Sequence, residues 1–327
     1  MKAWQVTDHG EPEAVLELTD ISRPEPGPGQ ILVRVLAAAA NFPDVLLCRG
    51  VYQVKLPLPF TLGVELCGEV VELGPGVSGF ALGDRVIGDT ALPHGAFAQY
   101  AVMDASAALP APPALDDAEA APFYVTYETC WVGLHRRARL QAGETLLVHA
   151  AAGGVGTGAI QLGKAAGARV IGVVGGPEKV ALAREVGADL VIDRTREDFV
   201  AVVKEATGGK GADVVFDPVG GEMFYKSTKC IAFEGRILIV GFASGDIPSA
   251  ALNHALVKNY DILGLQARTY RFLENDATKE HYAALVRLTE TGAVRTVITE
   301  RLSLDDVPDG LRRLGAGMTT GRIVFIP

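Results

Sequence analysis

The sequence of 327 residues has few cysteines, no cluster of basic residues and no long hydrophobic run. Its cysteines are Cys48, Cys67, Cys130 and Cys230. They are too few and too scattered for a disulfide framework or a zinc ribbon, so we expect a reducing, cytoplasmic location. The histidines do not show the paired spacing of a metal-binding helix either.

The charge and hydropathy patterns exclude two further classes of partner. The formal net charge is −9, and no run of lysine and arginine offers a surface for nucleic acid. Apolar stretches such as residues 31–40 are far shorter than the roughly 20 residues that cross a bilayer, so we do not expect membrane insertion. The N-terminal residues MKAWQVTDHGEPEAV lack the apolar core of a signal peptide, so we do not expect export.

The remaining composition describes a globular chain with two domains. Hydrophobic residues make up 49% and charged residues 21% of the sequence, and single cores stop growing near roughly 250–300 residues. Up to about residue 122, short β-type runs are broken by proline and glycine, which indicates a mostly β domain. Beyond residue 121, apolar runs alternate with amphipathic helical stretches, which predicts βαβ units and a parallel sheet.

The second region contains six candidate strands, as in a doubly wound nucleotide-binding fold. They are residues 145–149, 169–174, 190–192, 213–216, 236–240 and 261–265. The last stretch has helices near 276–291 and 304–314 and a final strand at 322–326, with too little core to fold alone. We therefore predict that it returns to the first domain, which gives domains of 1–122 plus 266–327 and of 123–265.

The most informative segment is TLLVHAAAGGVGTGAIQLGKAAGA, residues 145–168, in which an apolar strand leads into glycines and an amphipathic helix. This is the context of a dinucleotide fingerprint, although Ala151 replaces its first glycine. The helix N-terminus would bind the pyrophosphate. The predicted contacts are Ala152, Gly153, Gly154, Val155 and Gly156.

The end of the second strand indicates which dinucleotide is preferred. An NAD site places a carboxylate on the ribose about 20 residues beyond the glycines, but this strand ends at Val174 and Gly175. Lys179 follows shortly, and Arg194 lies past the next strand. Both could be ordinary exposed residues; we predict instead that they face a 2′-phosphate, which favours NADPH over NADH.

Four segments together resemble the zinc-free quinone oxidoreductase branch of the medium-chain dehydrogenase/reductases, which includes the zeta-crystallins. They are AAANFPDVLLCRGVY, TLGVELCGEVVELGPGVSGFALGDRV, HAAAGGVG and GRIVFIP. The resemblance spans essentially the whole chain. It implies an α/β architecture in which a Rossmann doubly wound parallel sheet is inserted in a GroES-like, mostly β catalytic domain.

The resemblance also bears on metal binding. Zinc alcohol dehydrogenases, distant relatives, place a cysteine ligand where this chain has Asn41 and a histidine ligand where it has Val64. An amide is a poor zinc ligand and an isopropyl group is none. We therefore expect no metal, so a substrate carbonyl must be polarised by hydrogen-bond donors or be electrophilic itself.

The resemblance implies several site residues in a cleft between the domains. Asn41 and Tyr52 match catalytic positions, Asn41 also being close to the cofactor, and Asp44 is expected to be structural. Thr126 and Arg322 match further cofactor positions of the family. Independently of the resemblance, Phe242 and Leu265 are cofactor candidates because they follow strand ends that face the glycine loop, where open parallel sheets bind ligands. Without the resemblance, Asn41 would be a turn residue, Tyr52 a packed aromatic and Arg322 an exposed strand residue.

The implied function is NADPH-dependent reduction of quinones through nicotinamide C4, with one- or two-electron transfer left open. An alternative is an NADPH-dependent enal or enone reductase, or an enoyl-CoA-type C=C reductase. For that enzyme the loop at residues 266–271, with its two arginines, could contact an acidic substrate. A non-catalytic, crystallin-like NADPH-binding protein is a further alternative, and a homodimer formed through the last strand of the nucleotide domain is expected.

Overall fold

The computed structural model of the protein describes residues 1–273 and 275–327. The chain divides into two compact units. The first comprises residues 1–125 and 295–327, and the second comprises residues 126–294. None of the described helices is long and apolar enough to cross a membrane.

The first unit is mostly β. Its strands are β1 (Lys2–Val6), β2 (Leu16–Asp20), β3 (Gln30–Ala39), β4 (Phe60–Thr61), β5 (Glu65–Leu73), β6 (Arg85–Asp89), β7 (Tyr100–Asp104), β8 (Leu109–Pro110), β15 (Ile298–Ser303) and β16 (Arg322–Ile326). Its helices are α1 (Pro12–Val15), α2 (Phe42–Cys48), α3 (Asp117–Ala120), a 3₁₀ turn (Leu304–Asp306) and α12 (Val307–Gly315). Helix α4 (Phe123–Trp131) begins in this unit and continues into the second.

The C-terminal strands complete the main sheet of the first unit. Its order is β15-β16-β3-β5-β6-β8, with β7 also paired to β3, and β16 runs antiparallel to the end of β3. Side chains from both ends of the chain share one core, in which the rings of Phe97 and Phe325 meet edge to face at 5.2 Å. The antiparallel pairing of Val324 with Ala39 brings Arg322 close to Asn41, two residues after β3.

The second unit is a six-stranded parallel sheet with helices between its strands. Its strands are β9 (Thr145–His149), β10 (Arg169–Val174), β11 (Leu190–Asp193), β12 (Ala212–Asp217), β13 (Ile231–Ile239) and β14 (Asp261–Gly264). Its helices after α4 are a π-helix (Val132–Arg137), α5 (Gly154–Ala165), α6 (Pro177–Glu185), α7 (Phe199–Ala206), α8 (Gly221–Cys230), α9 (Leu252–Lys258), α10 (Ala267–Leu273) and α11 (Asn275–Glu290).

The sheet order β11-β10-β9-β12-β13-β14 is that of a doubly wound nucleotide fold. Every residue of β9 and β12, at the centre of the sheet, is buried, which explains why these strands are apolar on both faces. The chain order reverses between β9 and β12, so their carboxyl ends border the crevice where such folds bind ligands. The predicted fold class is confirmed.

Residues 266–294 differ from the sequence-based prediction in two ways. Residues 267–273, predicted as a loop, form helix α10, and the segment to residue 294 belongs to the second unit instead of the first. Contacts within the second unit account for this: Arg136 lies 4.8 Å over the ring of Tyr270, and His281 Nδ1 lies 3.7 Å from Glu128 Oε1. The side chain of Arg271, predicted as part of that loop, lies outside the described residues.

Candidate cofactor and acceptor sites

The glycine loop joins β9 to α5 at the carboxyl edge of the parallel sheet. A Cβ atom at Gly156 would lie 2.1 Å from the carbonyl oxygen of Ala150, so only glycine allows this close approach of helix and loop. Helix α5 begins at Gly154 without a side-chain cap. Its first amide groups are therefore donors for an anion, as the pyrophosphate of a dinucleotide requires.

Thr126 lies on helix α4 where it packs against α5. A Cβ atom at Gly158 would lie 2.9 Å from the Thr126 methyl carbon, so this glycine permits the helix contact. Thr126 is 2% exposed, and its hydroxyl has no hydrogen-bond partner among the described residues. Leaving a buried hydroxyl unsatisfied is costly, so this atom fits a polar group of a bound cofactor.

Two cations, Lys179 and Arg194, lie beyond the carboxyl end of β10. The guanidinium Nη2 of Arg194 lies 3.4 Å from the Cβ position of Gly175, directly after the buried Val174. Burial, reinforced by the positive charge of Arg194, lowers the pKa of Lys179. The two side chains are thus close enough to repel each other, and an anion placed with them would relieve that repulsion.

Asp193 shapes this end of the sheet, and the sequence did not single it out. It ends β11, and its Oδ1 accepts hydrogen bonds from the backbone N–H of Gly176 and from both the N–H and the hydroxyl of Thr195. These hydrogen bonds lower the pKa of Asp193. The Oδ1 atom of this carboxylate therefore organises the loop around Lys179 and Arg194.

Two apolar side chains occupy the corresponding ends of the last strands. Phe242 follows β13, and its ring lies against Gly220, where a Cβ atom would come within 2.8 Å. Leu265 follows β14 and its methyl group packs beside Gly133 in the π-helix, where a Cβ atom would come within 3.0 Å. Both side chains are half-buried at the edge predicted for the nicotinamide.

In the first unit, Asn41 caps helix α2. Asp44 Oδ2 accepts a hydrogen bond from the Asn41 backbone N–H at 2.8 Å, and Asp44 Oδ1 accepts one from the Val64 N–H at 3.1 Å. Asp44 is fully buried, and burial raises its pKa to about 7. Asp44 thus joins the start of α2 to the segment before β5, which is a structural role.

The Asn41 amide is turned inward. Its Nδ2 donates to Glu65 Oε2 at 3.0 Å and to the Ala39 carbonyl oxygen at 3.3 Å, and its Oδ1 accepts from Arg322 Nη2 at 2.9 Å. Both amide hydrogens are therefore used within the first unit. Asn41 can donate to the oxygen of a bound substrate only by giving up one of these two hydrogen bonds. The hydrogen bond to Ala39 is longer than the one to Glu65.

Arg322 and Glu65 form a buried ion pair around this amide. Arg322 is 6% exposed, so it is not the exposed strand residue that its position alone would suggest, and its Nη2 donates to Glu65 Oε2 at 3.1 Å. Burial raises the pKa of Glu65 to about 7, although the charge of Arg322 opposes the rise. Sequence analysis missed Glu65, although a carboxylate directly before the apolar residues Leu66 and Cys67 is an available signal.

Tyr52 lies in the segment after α2. It is half-buried and packs against the core of the first unit.

As for metals, no three histidine, cysteine, aspartate or glutamate side chains within residues 1–273 and 275–327 are arranged to hold an ion. The residues at Asn41 and Val64 likewise fit zinc poorly, since one is an amide and the other an isopropyl group.

Comparison with known proteins agrees with this architecture. Residues 27–113 match the alcohol dehydrogenase GroES-like domain, and residues 154–287 match the zinc-binding dehydrogenase family. A quinone oxidoreductase-like protein 2 homolog of Nematostella vectensis is 37% identical, covering 91% of this chain and 82% of that protein. The crystal structure of Escherichia coli quinone oxidoreductase complexed with NADPH is 30% identical, with a TM-score of 0.93 and full coverage of both chains.

Another similar protein has a different function. The phthioceranic/hydroxyphthioceranic acid synthase of Mycobacterium tuberculosis is 33% identical over 98% of this chain, which corresponds to 15% of that larger protein. The fold, the glycine loop and these likenesses define an oxidoreductase of the medium-chain dehydrogenase/reductase superfamily. Within that superfamily, the chain belongs to the quinone oxidoreductase branch.

Proposed function

We propose that the protein is an NADPH-dependent quinone oxidoreductase that works without a metal. The observation that carries the proposal is the site in the second unit, where an uncapped helix follows the glycine loop and two cations lie beyond the neighbouring strand. Bound NADPH would supply reducing equivalents from C4 of its nicotinamide ring.

The second unit would bind each part of the cofactor with a different group of residues. The loop at residues 152–156 would bind the pyrophosphate through its amides other than that of Gly153, which donates to the Ala150 carbonyl oxygen at 2.9 Å. Lys179 and Arg194, next to Val174, would bind the 2′-phosphate. The buried hydroxyl of Thr126 would bind the nicotinamide amide. Phe242 and Leu265 would provide an apolar surface that excludes water from the ring.

The first unit would orient the acceptor. Tyr52 combines a hydroxyl donor with an apolar aromatic ring, and this combination suits a quinone. Asn41 would turn its Ala39-bonded hydrogen toward the acceptor oxygen, and Arg322, fixed by Glu65, would keep the amide oxygen in place and stay close to the cofactor. The electrophilic acceptor then needs no Lewis acid.

The test is oxidation of NADPH by the purified protein, measured as loss of nicotinamide absorbance, with matched ortho- and para-quinones, enals and enones. Turnover of quinones alone supports the proposal. Tight binding of NADPH with no turnover of any acceptor would favour a non-catalytic role, and failure to bind NADPH would refute the proposal.

A second candidate is a C=C reductase acting on an enal, an enone or an enoyl thioester. The observation that favours it is the likeness to the mycobacterial synthase, whose name describes the synthesis of acids. Turnover of the alkenes but not of the quinones would select this function. Enoyl-CoA thioesters belong in the same panel, because the basic side chain of Arg268 on α10 is exposed.

We also propose that the protein is a homodimer in which β14 pairs with its copy. Strand β14 is an edge of the parallel sheet, and the preceding helix α9 exposes Leu252, Leu256 and Val257 by about three quarters of their surface. The mass from light scattering should be that of two chains, and Leu256→Glu should halve it.

All four cysteines are buried and unpaired with one another, which supports the proposed cytoplasmic location.

A further inference from the structure

The carboxylate of Glu65 connects three segments of the first unit. Glu65 begins β5 and has no exposed surface. Its Oε2 accepts hydrogen bonds from Asn41 Nδ2 and Arg322 Nη2, and its Oε1 accepts one from the Val125 N–H at 2.7 Å. One oxygen thus holds two predicted site residues, and the other holds the first turn of helix α4.

This division of the two oxygens matters because α4 carries Thr126. The residue held by Glu65 Oε1 is Val125, directly before the threonine whose buried hydroxyl has no partner among the described residues. A shift of the Glu65 side chain would therefore disturb Asn41, Arg322 and the start of α4 together. A buried carboxylate with three donors is also rigidly placed, since each donor restricts a different direction.

The chemistry of Glu65 excludes a direct role in the reaction. Both oxygens are occupied by protein donors, and the side chain has no surface through which a substrate could reach it. Its effect must therefore pass through the groups that it holds. Glu65 also partly compensates the charge of Arg322, which is buried at the end of the chain.

We propose that Glu65 is a positioning residue of this enzyme: it sets the Asn41 amide, the Arg322 guanidinium and the first turn of α4 for cofactor binding. The proposal rests on the proposed NADPH-dependent function for its binding readout. It goes beyond that function, because it assigns a role to a residue that touches neither cofactor nor acceptor.

The test compares Glu65→Gln with a matched control, Glu119→Gln. Glutamine keeps the size of the side chain, but its single oxygen cannot accept from both sides, so at least one contact is lost. Glu119 is a similarly buried carboxylate of the first unit that pairs with Arg295, also from the C-terminal segment, at 2.6 Å. No hydrogen bond links it to Asn41, Arg322 or Val125 among the described contacts.

Three readouts separate positioning from stability. For Glu65→Gln we expect the NADPH Kd to rise at least tenfold, the NADPH KM to rise more than kcat falls, and amide hydrogen exchange at Val125 to accelerate. For Glu119→Gln we expect a lower Tm with the wild-type Kd and wild-type exchange at Val125. A wild-type Kd in Glu65→Gln, or an equal Kd change in both variants, would overturn the proposal.

Two further results keep the outcome decisive. If Glu65→Gln does not fold, Arg322→Lys takes its place, since lysine keeps the charge but loses the guanidinium Nη2 that donates to both Asn41 and Glu65. A wild-type Kd in Arg322→Lys overturns the proposal. If the wild-type protein does not bind NADPH, the proposed function fails. Exchange at Val125 then decides the role of Glu65 by itself, and unchanged exchange in Glu65→Gln refutes it.

Discussion

Replacing Arg194 by alanine should change which nicotinamide cofactor the protein prefers. The guanidinium lies beside Gly175 at the end of β10, and its charge contributes to lowering the pKa of Lys179. NADPH and NADH differ only in the 2′-phosphate that we assign to these cations. Loss of Arg194 should therefore weaken NADPH binding and leave NADH binding almost unchanged.

The magnitude follows from the exposure of the two cations. A hydrogen bond to a charged group contributes roughly 1.5–3 kcal/mol, and the solvent exposure of Arg194 favours the lower end of that range. About 1.4 kcal/mol corresponds to a tenfold change in Kd. Arg194→Ala should raise the NADPH Kd about tenfold, and adding Lys179→Ala should raise it at most about a hundredfold, because residues that share one phosphate are not independent.

The assay is fluorescence titration of each variant with NADPH and with NADH at two salt concentrations. Higher salt should weaken NADPH binding more than NADH binding, since exposed charges are screened. Lys164→Ala is the matched control, because Lys164 is an exposed lysine near the opposite end of α5 that pairs with Asp189 at 2.6 Å. Equal losses for the two cofactors, or an unchanged NADPH Kd in Arg194→Ala, would refute the assignment.

Three further predictions follow from the described geometry. Gly156→Ala should abolish measurable dinucleotide binding in a titration, because its Cβ atom would lie 2.1 Å from the Ala150 oxygen. Burial raises the folded-state pKa of Asp44 and Glu65 from 3.8 and 4.5 to about 7. Each carboxyl group thus favours folding at low pH. As the pH rises from about 4 to 7, the free energy of unfolding falls by about 4 kcal/mol through Asp44 and by about 3 kcal/mol through Glu65, so denaturant titrations of Glu65→Gln should show a smaller decline than wild type. The four cysteines, all buried, should react with a thiol reagent only after denaturation; rapid labelling of the native protein would contradict that burial.

Much of the fold could be predicted because the sequence patterns are local. Strands β9, β10 and β16 begin and end where their apolar runs do. Strand β13 begins five residues before the predicted start at Arg236, and the sequence did not show this because Glu234 and Gly235 interrupt the apolar pattern. Glu234 also has a φ of 56°, a conformation that no propensity for strand predicts.

The segment from residue 266 to 294 was harder to predict because its partners are distant in sequence. Tyr270 is covered by Arg136, and His281 meets Glu128, contacts that span more than 130 residues of chain. A composition of arginines, threonine and tyrosine does not reveal them. Helix α10 becomes favourable only through packing in the completed second unit, and the same packing explains why α10 and α11 belong to that unit.

The same distinction separates the two parts of the candidate site. The glycine loop is defined within one strand–helix unit, and its sequence alone therefore predicts its chemistry. The buried network joins residues from the start, middle and end of the chain, and only the tertiary structure shows that the Asn41 amide already uses both of its hydrogens.

The network also bears on zinc binding. Arg322 provides the positive charge beside Glu65, both Glu65 oxygens are hydrogen-bonded, and Asn41 replaces a thiolate, so a metal ion would have to displace a guanidinium to gain a poor set of ligands.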